Sequence, residues 1–278
     1  MKFLVALLVA VSALVAQQPE NEAFAPDRIE IYKQVDGPDL SLQIFLPSGW
    51  SRSDSRPAIV FFFGGGWVSG DPAQFHPHAR YFAQRGVVAA CAWYRTKNSH
   101  GTDPFAAIAD GKSAMRWLRM HALEWGIDPG RIVAAGGSAG GHVAASTALL
   151  QGLDDPGDDP SVSSTPSALV LFNPVIDTTE KGYGVEKVGE RKLEASPVHH
   201  VRGGLAPTII FHGTADTTVP FENVERFCSL MIRAGNRCEL VPYDGEKHGF
   251  FNYSRNVDHY LDTVGHANEF LRSVGIIP

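Results

Sequence analysis

The chain has 278 residues, 44% of them hydrophobic and 19% charged, a balance that excludes an intrinsically disordered protein and can fill a sizeable core. Its 24 Lys and Arg against 30 Asp and Glu give a formal charge of −6, the wrong sign for a surface that neutralises phosphates, so nucleic acid is set aside as a partner. The only cysteines, Cys91, Cys228 and Cys238, include no CxxC pair, which excludes a disulfide scaffold and a cysteine-type zinc motif.

Residues 1–18 read as a secretory signal peptide. Lys2 precedes an unbroken apolar run over 3–11, small residues follow, and Gln17, Gln18, Pro19 and Glu20 end the segment. The run is too short to span a bilayer. Cleavage near 13–17 and export to the periplasm or the medium are expected, with no stable membrane anchor. In an oxidising compartment Cys228 and Cys238 either close a disulfide or remain two buried thiols, and both readings stand at this point.

The remainder, 19–278, reads as a single α/β domain. Strands are predicted over 28–35 and 40–46 around an Asp36-Gly37-Pro38-Asp39 turn, then over 57–63, where five apolar residues run together as in a strand buried on both faces. A helix over 78–85 leads to a buried strand over 87–93. The spacing of Ile108, Met115, Leu118 and Leu123 predicts a helix over 104–125, with Asp110, Lys112, Arg116 and Arg119 on its wet side. Strand 131–135, helix 139–150, strands 168–172 and 208–211, helix 221–234, strand 238–241 and helix 257–274 complete the alternation. Such alternation implies a mostly parallel sheet covered by helices on both faces. Two long irregular stretches, 151–167 and 177–206, are candidates for a lid or a substrate wall. The first carries Asp154, Asp155, Asp158 and Asp159 without an EF-hand spacing, and a solvated acidic loop is expected there rather than a calcium site.

Chemistry concentrates at strand ends. Gly136-Gly137-Ser138-Ala139-Gly140 contains G-x-S-x-G between a buried strand and a helix. A serine on so sharp a turn leaves no room for side chains two positions before and after it. Gly64-Gly65-Gly66-Trp67 follows strand 57–63, and glycines there let backbone N–H groups face a developing oxyanion. Asp216 closes the loop after strand 208–211, and His248 stands just before the last helix. A serine hydroxyl needs a base to take its proton, and the base needs an acid to hold its tautomer. Ser138, Asp216 and His248 occur in an order that meets this need. Asp244, four positions before His248, is the weaker choice for the acid.

These pieces, with His212-Gly213-Thr214-Ala215-Asp216, Gly141-His142 and His248-Gly249-Phe250, resemble the α/β-hydrolases. Within that superfamily the chain is similar to hormone-sensitive-lipase-like esterases and to bacterial acetylxylan and feruloyl esterases. The resemblance implies an eight-stranded, mostly parallel sheet with an antiparallel early strand. It implies Ser138 as nucleophile, His248 as base and then acid, Asp216 as orienter, and the N–H groups of Gly65, Gly66 and Ala139 as the oxyanion hole. One departure is visible: many relatives carry histidine before the glycine run, where this chain has Phe63.

The expected activity is hydrolysis of short-chain acyl esters, including acetylated or feruloylated carbohydrates, with no cofactor and no metal. An amide or formamide hydrolase and a non-catalytic binding protein on the same scaffold are the alternatives. Trp67 and Phe250 are candidate substrate-wall residues, with core packing as the competing role. The His76-Pro77-His78 and His199-His200 clusters lack metal-ligand spacing and are expected to be structural.

Overall fold

A computed structural model describes residues 24–278; the expected leader and its cleavage point lie outside those residues. Eight strands form one sheet: β1 (Arg28–Lys33), β2 (Leu40–Phe45), β3 (Arg56–Phe62), β4 (Val88–Ala92), β5 (Ile127–Gly137), β6 (Ala168–Phe172), β7 (Thr208–Gly213) and β8 (Cys238–Tyr243). Their order in space is β1-β2-β4-β3-β5-β6-β7-β8. Strand β2 runs antiparallel to both β1 and β4, and the other pairs are parallel.

The buried strands alternate faithfully. Ala58, Val60 and Phe62 of β3 enter the core on one face, while Ile59 and Phe61 enter the core on the other. Helices α2 (Pro104–Met120), α3 (Ala139–Leu149) and α4 (Phe221–Arg233) cover the first face; α1 (His76–Ala83) and α5 (Val257–Ser273) cover the second. Helix α2 starts where Asp103 accepts the N–H groups of Phe105 and Ala106 and Pro104 opens the first turn. Because the chain leaves β3 toward β4 on one side and returns to β5 on the other, a crevice opens at the carboxyl ends of β3 and β5.

Several sequence expectations are corrected. Helix α2 stops at Met120 instead of reaching 125, and Leu123 is 89% exposed rather than part of the apolar stripe. Asp110, Lys112 and Arg116 are buried, not wet. The reason is the 151–167 segment, which folds over α2. Arg116 pairs with Asp154 at 2.6 Å and Asp158 at 2.9 Å, while Asp110 pairs with Arg95 at 2.7 Å and Lys33 at 2.9 Å, and Lys33 reaches Asp155 as well. That segment is exposed over much of its length, as expected of an acidic loop, but three of its aspartates are committed to ion pairs, and among the described residues only Asp159 of the four makes none. Buried charges persist because each has a partner. All three cysteines are buried free thiols, so the disulfide alternative is not the one present.

Candidate active site

Strand β5 turns into α3 through Ser138, whose backbone sits at φ 55° and ψ −121°. The crowding anticipated at this turn is physical: a Cβ on Gly136 would lie 2.4 Å from the Gly140 carbonyl oxygen, and one on Gly140 would lie 2.0 Å from that of Phe62. Hydrogen is the only substituent that fits. The register Phe62↔Gly136 between β3 and β5 then sets the glycine loop after β3 beside Ser138.

The loops after β7 and β8 bring the acid and the base to this turn. His248 Nε2 lies 2.9 Å from Ser138 Oγ, and His248 Nδ1 lies 2.7 Å from Asp216 Oδ2. A carboxylate only accepts, so Nδ1 carries the proton, and Nε2 presents its lone pair to the serine hydroxyl. Asp216 is fully buried at its side chain. Burial alone would raise its pKa, but donors from His212, His248 and the Val219 N–H hold it well below the usual carboxylate range. Its Oδ1 accepts from the N–H groups of Thr218 and Val219 at 2.8 and 2.9 Å. Asp244 accepts instead from Thr214 Oγ1 at 3.2 Å, on another side of the loop.

Gly65 and Gly66 line the cavity in front of Ser138, and among the described residues their N–H groups meet no acceptor. Ala139 is the first residue of α3, where N–H groups have no partner within the helix. The loop is held from behind by a residue to which the sequence reading assigns no role. Gln74 Oε1 accepts the Gly64 N–H at 2.7 Å, and Gln74 Nε2 donates to Asn252 Oδ1 at 2.9 Å. Phe63 stacks on Tyr94, ring centroids 4.1 Å apart, and the Tyr94 hydroxyl donates to the Phe63 carbonyl at 2.7 Å.

The catalytic cavity holds about 490 Å³ and is also lined by Asp71, Asn173, Tyr183, Phe251 and Arg255. Phe250 and Trp67 do not line it. Phe250 is 3% exposed against Tyr243 and Phe251, and Trp67 is 2% exposed against His142 and Tyr183; core packing is the role each has here. Phe251, one residue further, borders the cavity from the core, fully buried against Phe75 and Phe172. Asn173 follows β6 as Ser138 follows β5, and its Oδ1 accepts the Gly249 N–H at 2.8 Å, fixing the histidine loop. Its position at a buried strand's carboxyl end was the available signal. Segment 177–206 reaches the cavity through Tyr183, whereas 151–167 does not line it. Among the described residues no three His, Cys, Asp or Glu side chains gather as a metal site.

This fold and this strand-end constellation define a serine esterase of the α/β-hydrolase class. The chain belongs to the BD-FAE family, whose model matches residues 42–231. Carboxylesterase NlhH of Mycobacterium tuberculosis is 30% identical over 251 residues, covering 82% of this chain and 76% of its own. A probable isoprenylcysteine alpha-carbonyl methylesterase of Arabidopsis thaliana is 27% identical over 237 residues, 77% of this chain and 49% of that protein. The chain spans about half the length of several such curated relatives. Among solved structures, the apo form of Thermogutta terrifontis esterase 2 superposes with a TM-score of 0.87 at 50% identity, covering 90% of this chain and 96% of that one. The same enzyme with propionate bound matches at 48% identity and TM-score 0.87, covering 93% and 97%.

Proposed function

We propose that this protein is an exported serine carboxylesterase that hydrolyses short-chain acyl esters, acetyl esters foremost, through a covalent acyl-enzyme. The observation that carries the reading is the unbroken chain from Ser138 Oγ through His248 to Asp216, at 2.9 and 2.7 Å, facing the unclaimed N–H groups of Gly65 and Gly66. Ser138 attacks the ester carbonyl as His248 takes its proton. The N–H groups of Gly65, Gly66 and Ala139 receive the oxyanion. His248 then protonates the departing alcohol, and a water, deprotonated by the same imidazole, releases the acid and restores Ser138.

The cavity's modest size supports small acyl groups, as does the binding of propionate and butyrate by the Thermogutta esterase. Esters of carbohydrates are the natural substrates this reading favours for an exported enzyme. The test is a chain-length series of p-nitrophenyl esters with the matching anilides. Acetate to butyrate should exceed octanoate at least tenfold in kcat/KM, anilides should be hydrolysed far more slowly, and Ser138→Ala should lose turnover. Preference for octanoate or for anilides, or activity surviving in Ser138→Ala, refutes the proposal. Export is checked separately, by N-terminal sequencing of protein recovered outside the cytoplasm.

A further inference from the structure

Segment 177–206 is shaped to hold one side chain, Tyr183, over the oxyanion loop. Gly182 lets the backbone settle on Asp177, where a Cβ would fall 1.9 Å from the carbonyl oxygen; Gly184, at φ +84°, lets it pass Trp67, where a Cβ would fall 2.6 Å from the indole. Asp177 anchors the turn. It is 1% exposed, its Oδ1 accepts from the N–H and hydroxyl of Thr179 at 2.9 and 2.6 Å, and its Oδ2 pairs with Arg226 at 3.2 Å.

One helical turn later, Lys187 Nζ donates to Tyr183 Oη at 2.8 Å. An ammonium can only donate, so the phenol is the acceptor there and its own proton remains to be given away. Among the described residues none accepts it. The hydroxyl stands directly over Gly66: a Cβ at that position would lie 2.6 Å from Tyr183 Oη and 3.2 Å from Lys187 Nζ. Tyr183 lines the catalytic cavity. Beyond it, past Gly66 and Lys187, a second cavity of about 410 Å³ is lined by Trp67, Lys97, Asp103 and Glu186 among others. The Tyr183–Lys187 pair is thus a polar partition between two spaces at the edge of the oxyanion loop.

From this arrangement we infer that Tyr183, polarised by Lys187, is a specificity-determining hydrogen-bond donor. It selects esters that carry a second oxygen acceptor (ether, hydroxyl or carbonyl) a few atoms from the scissile carbonyl over alkyl esters of equal length. The inference deepens the esterase reading and rests on it.

Matched pairs isolate the oxygen. On the acyl side these are p-nitrophenyl methoxyacetate and p-nitrophenyl butyrate; on the alcohol side, 2-methoxyethyl acetate and butyl acetate. Each variant is compared with wild type through the ratio of kcat/KM for the oxygenated member over the alkyl member, which cancels intrinsic reactivity. Tyr183→Phe should lower that ratio about three- to tenfold in at least one pair, the worth of one neutral hydrogen bond. Lys187→Met, which leaves the phenol in place but unpolarised, should lower it in the same pair by a smaller factor. Thermal melts confirm that both variants are folded. A ratio that Tyr183→Phe changes less than twofold in both pairs overturns the inference and leaves the esterase reading intact. Absence of wild-type turnover on every member, or equal turnover by Ser138→Ala, overturns both.

Discussion

His212 Nε2 lies 3.2 Å from Asp216 Oδ2, the same oxygen that receives His248 Nδ1. The His212 ring is fully buried, its Nε2 also donates to the Val219 carbonyl at 3.0 Å, and its Nδ1 has no partner among the described residues. The proton therefore resides on Nε2, given to the Val219 carbonyl and lying close enough to Asp216 Oδ2 to steady the carboxylate. His212→Phe keeps a ring in the site and removes the N–H. A hydrogen bond to a charged group is worth about 1.5–3 kcal/mol, so kcat should fall about ten- to hundredfold with little change in KM. Steady-state kinetics at pH 7.5 decide this; wild-type kcat in the variant would show that the backbone donors alone hold Asp216.

Ser138 occupies backbone angles that a side chain tolerates only at a cost of roughly 1–3 kcal/mol. Ser138→Ala removes the nucleophile and keeps the strain, whereas Ser138→Gly removes both. Each variant should be inactive toward p-nitrophenyl acetate. In paired calorimetric scans the glycine variant should melt at least about 2 °C above the alanine variant, given the stability-to-temperature scaling of a domain this size. A glycine variant that melts at or below the alanine variant would mean that the elbow stores no strain beyond the entropy glycine adds to the unfolded chain.

His78 packs among Phe61, Phe75, Phe172, Phe251 and Tyr260, and among the described residues neither ring nitrogen finds a hydrogen-bond partner. Burial pushes its pKa down to about 3, and burial pushes that of His142 down to about 4. Both rings are neutral in the fold, while the unfolded chain takes up protons near pH 6.5. Below that pH the unfolded state binds more protons than the native state, so stability is present above 6.5 and drains away as pH falls toward 4. At about 1.4 kcal/mol per pKa unit, the two rings together account for several kcal/mol of acid lability. His78→Leu should raise the melting temperature at pH 7 and raise it further at pH 4.5. Melts followed by circular dichroism across pH 4–8 test this, and an unchanged pH slope would refute it.

Asp110 shows how a buried charge can be structural. Its side chain is fully buried, pairing with Arg95 and Lys33 at 2.7 and 2.9 Å and accepting the Arg95 backbone N–H at 2.9 Å. Asp110→Ala leaves Lys33 and Arg95 with Asp155 as their shared remaining carboxylate, and breaking a buried pair costs about 3–5 kcal/mol, here nearer the lower figure because both cations keep that partner and some solvent. Urea unfolding should lose about 3 kcal/mol, while kcat/KM on p-nitrophenyl acetate at 20 °C stays within twofold. A loss below about 1 kcal/mol would place the cluster among weak surface pairs.

What was legible in the chain follows from where the constraint acts. The glycine spacing around Ser138 belongs to one sharp turn and is legible locally, although part of the crowding that excludes a side chain at Gly140 comes from the Phe62 carbonyl of the neighbouring strand. Asp216 and His248 each follow a strand that ends at the same rim, and their order was readable from the alternation of elements. The pairing of Asp110 and Arg116 was not, because their partners arrive from β1, the loop after β4 and an irregular segment some 40 residues later. A polar residue on a helix reads as wet until something folds over it. Trp67 and Phe250 stand next to site residues in sequence but turn into the core, while Tyr183 and the buried Asn173 border the cavity. Adjacency in a loop does not decide direction, since one residue's shift in a tight turn reverses which side chain points inward.

Gln74 carries the consequence of Phe63 standing just before the glycine run. The Phe63 ring is committed to the core against Tyr94 and cannot brace the glycine loop. Gln74 does so instead, taking the Gly64 N–H at 2.7 Å while Asn252 fixes its own amide at 2.9 Å. In the proposed mechanism the neighbouring N–H groups of Gly65 and Gly66 receive an oxygen that becomes fully charged only in the transition state, so misaligning them should cost rate rather than binding. Gln74→Ala should lower kcat about tenfold with KM within twofold. Gln74→Glu keeps an acceptor for Gly64 but loses the donor to Asn252, whose own Nδ2 is committed to the Gly249 carbonyl at 2.8 Å, and should recover part of that loss. If both variants lose kcat equally, the side chain acts by filling space and not by holding Gly64, and the brace must be sought in the Tyr94 hydrogen bond to the Phe63 carbonyl.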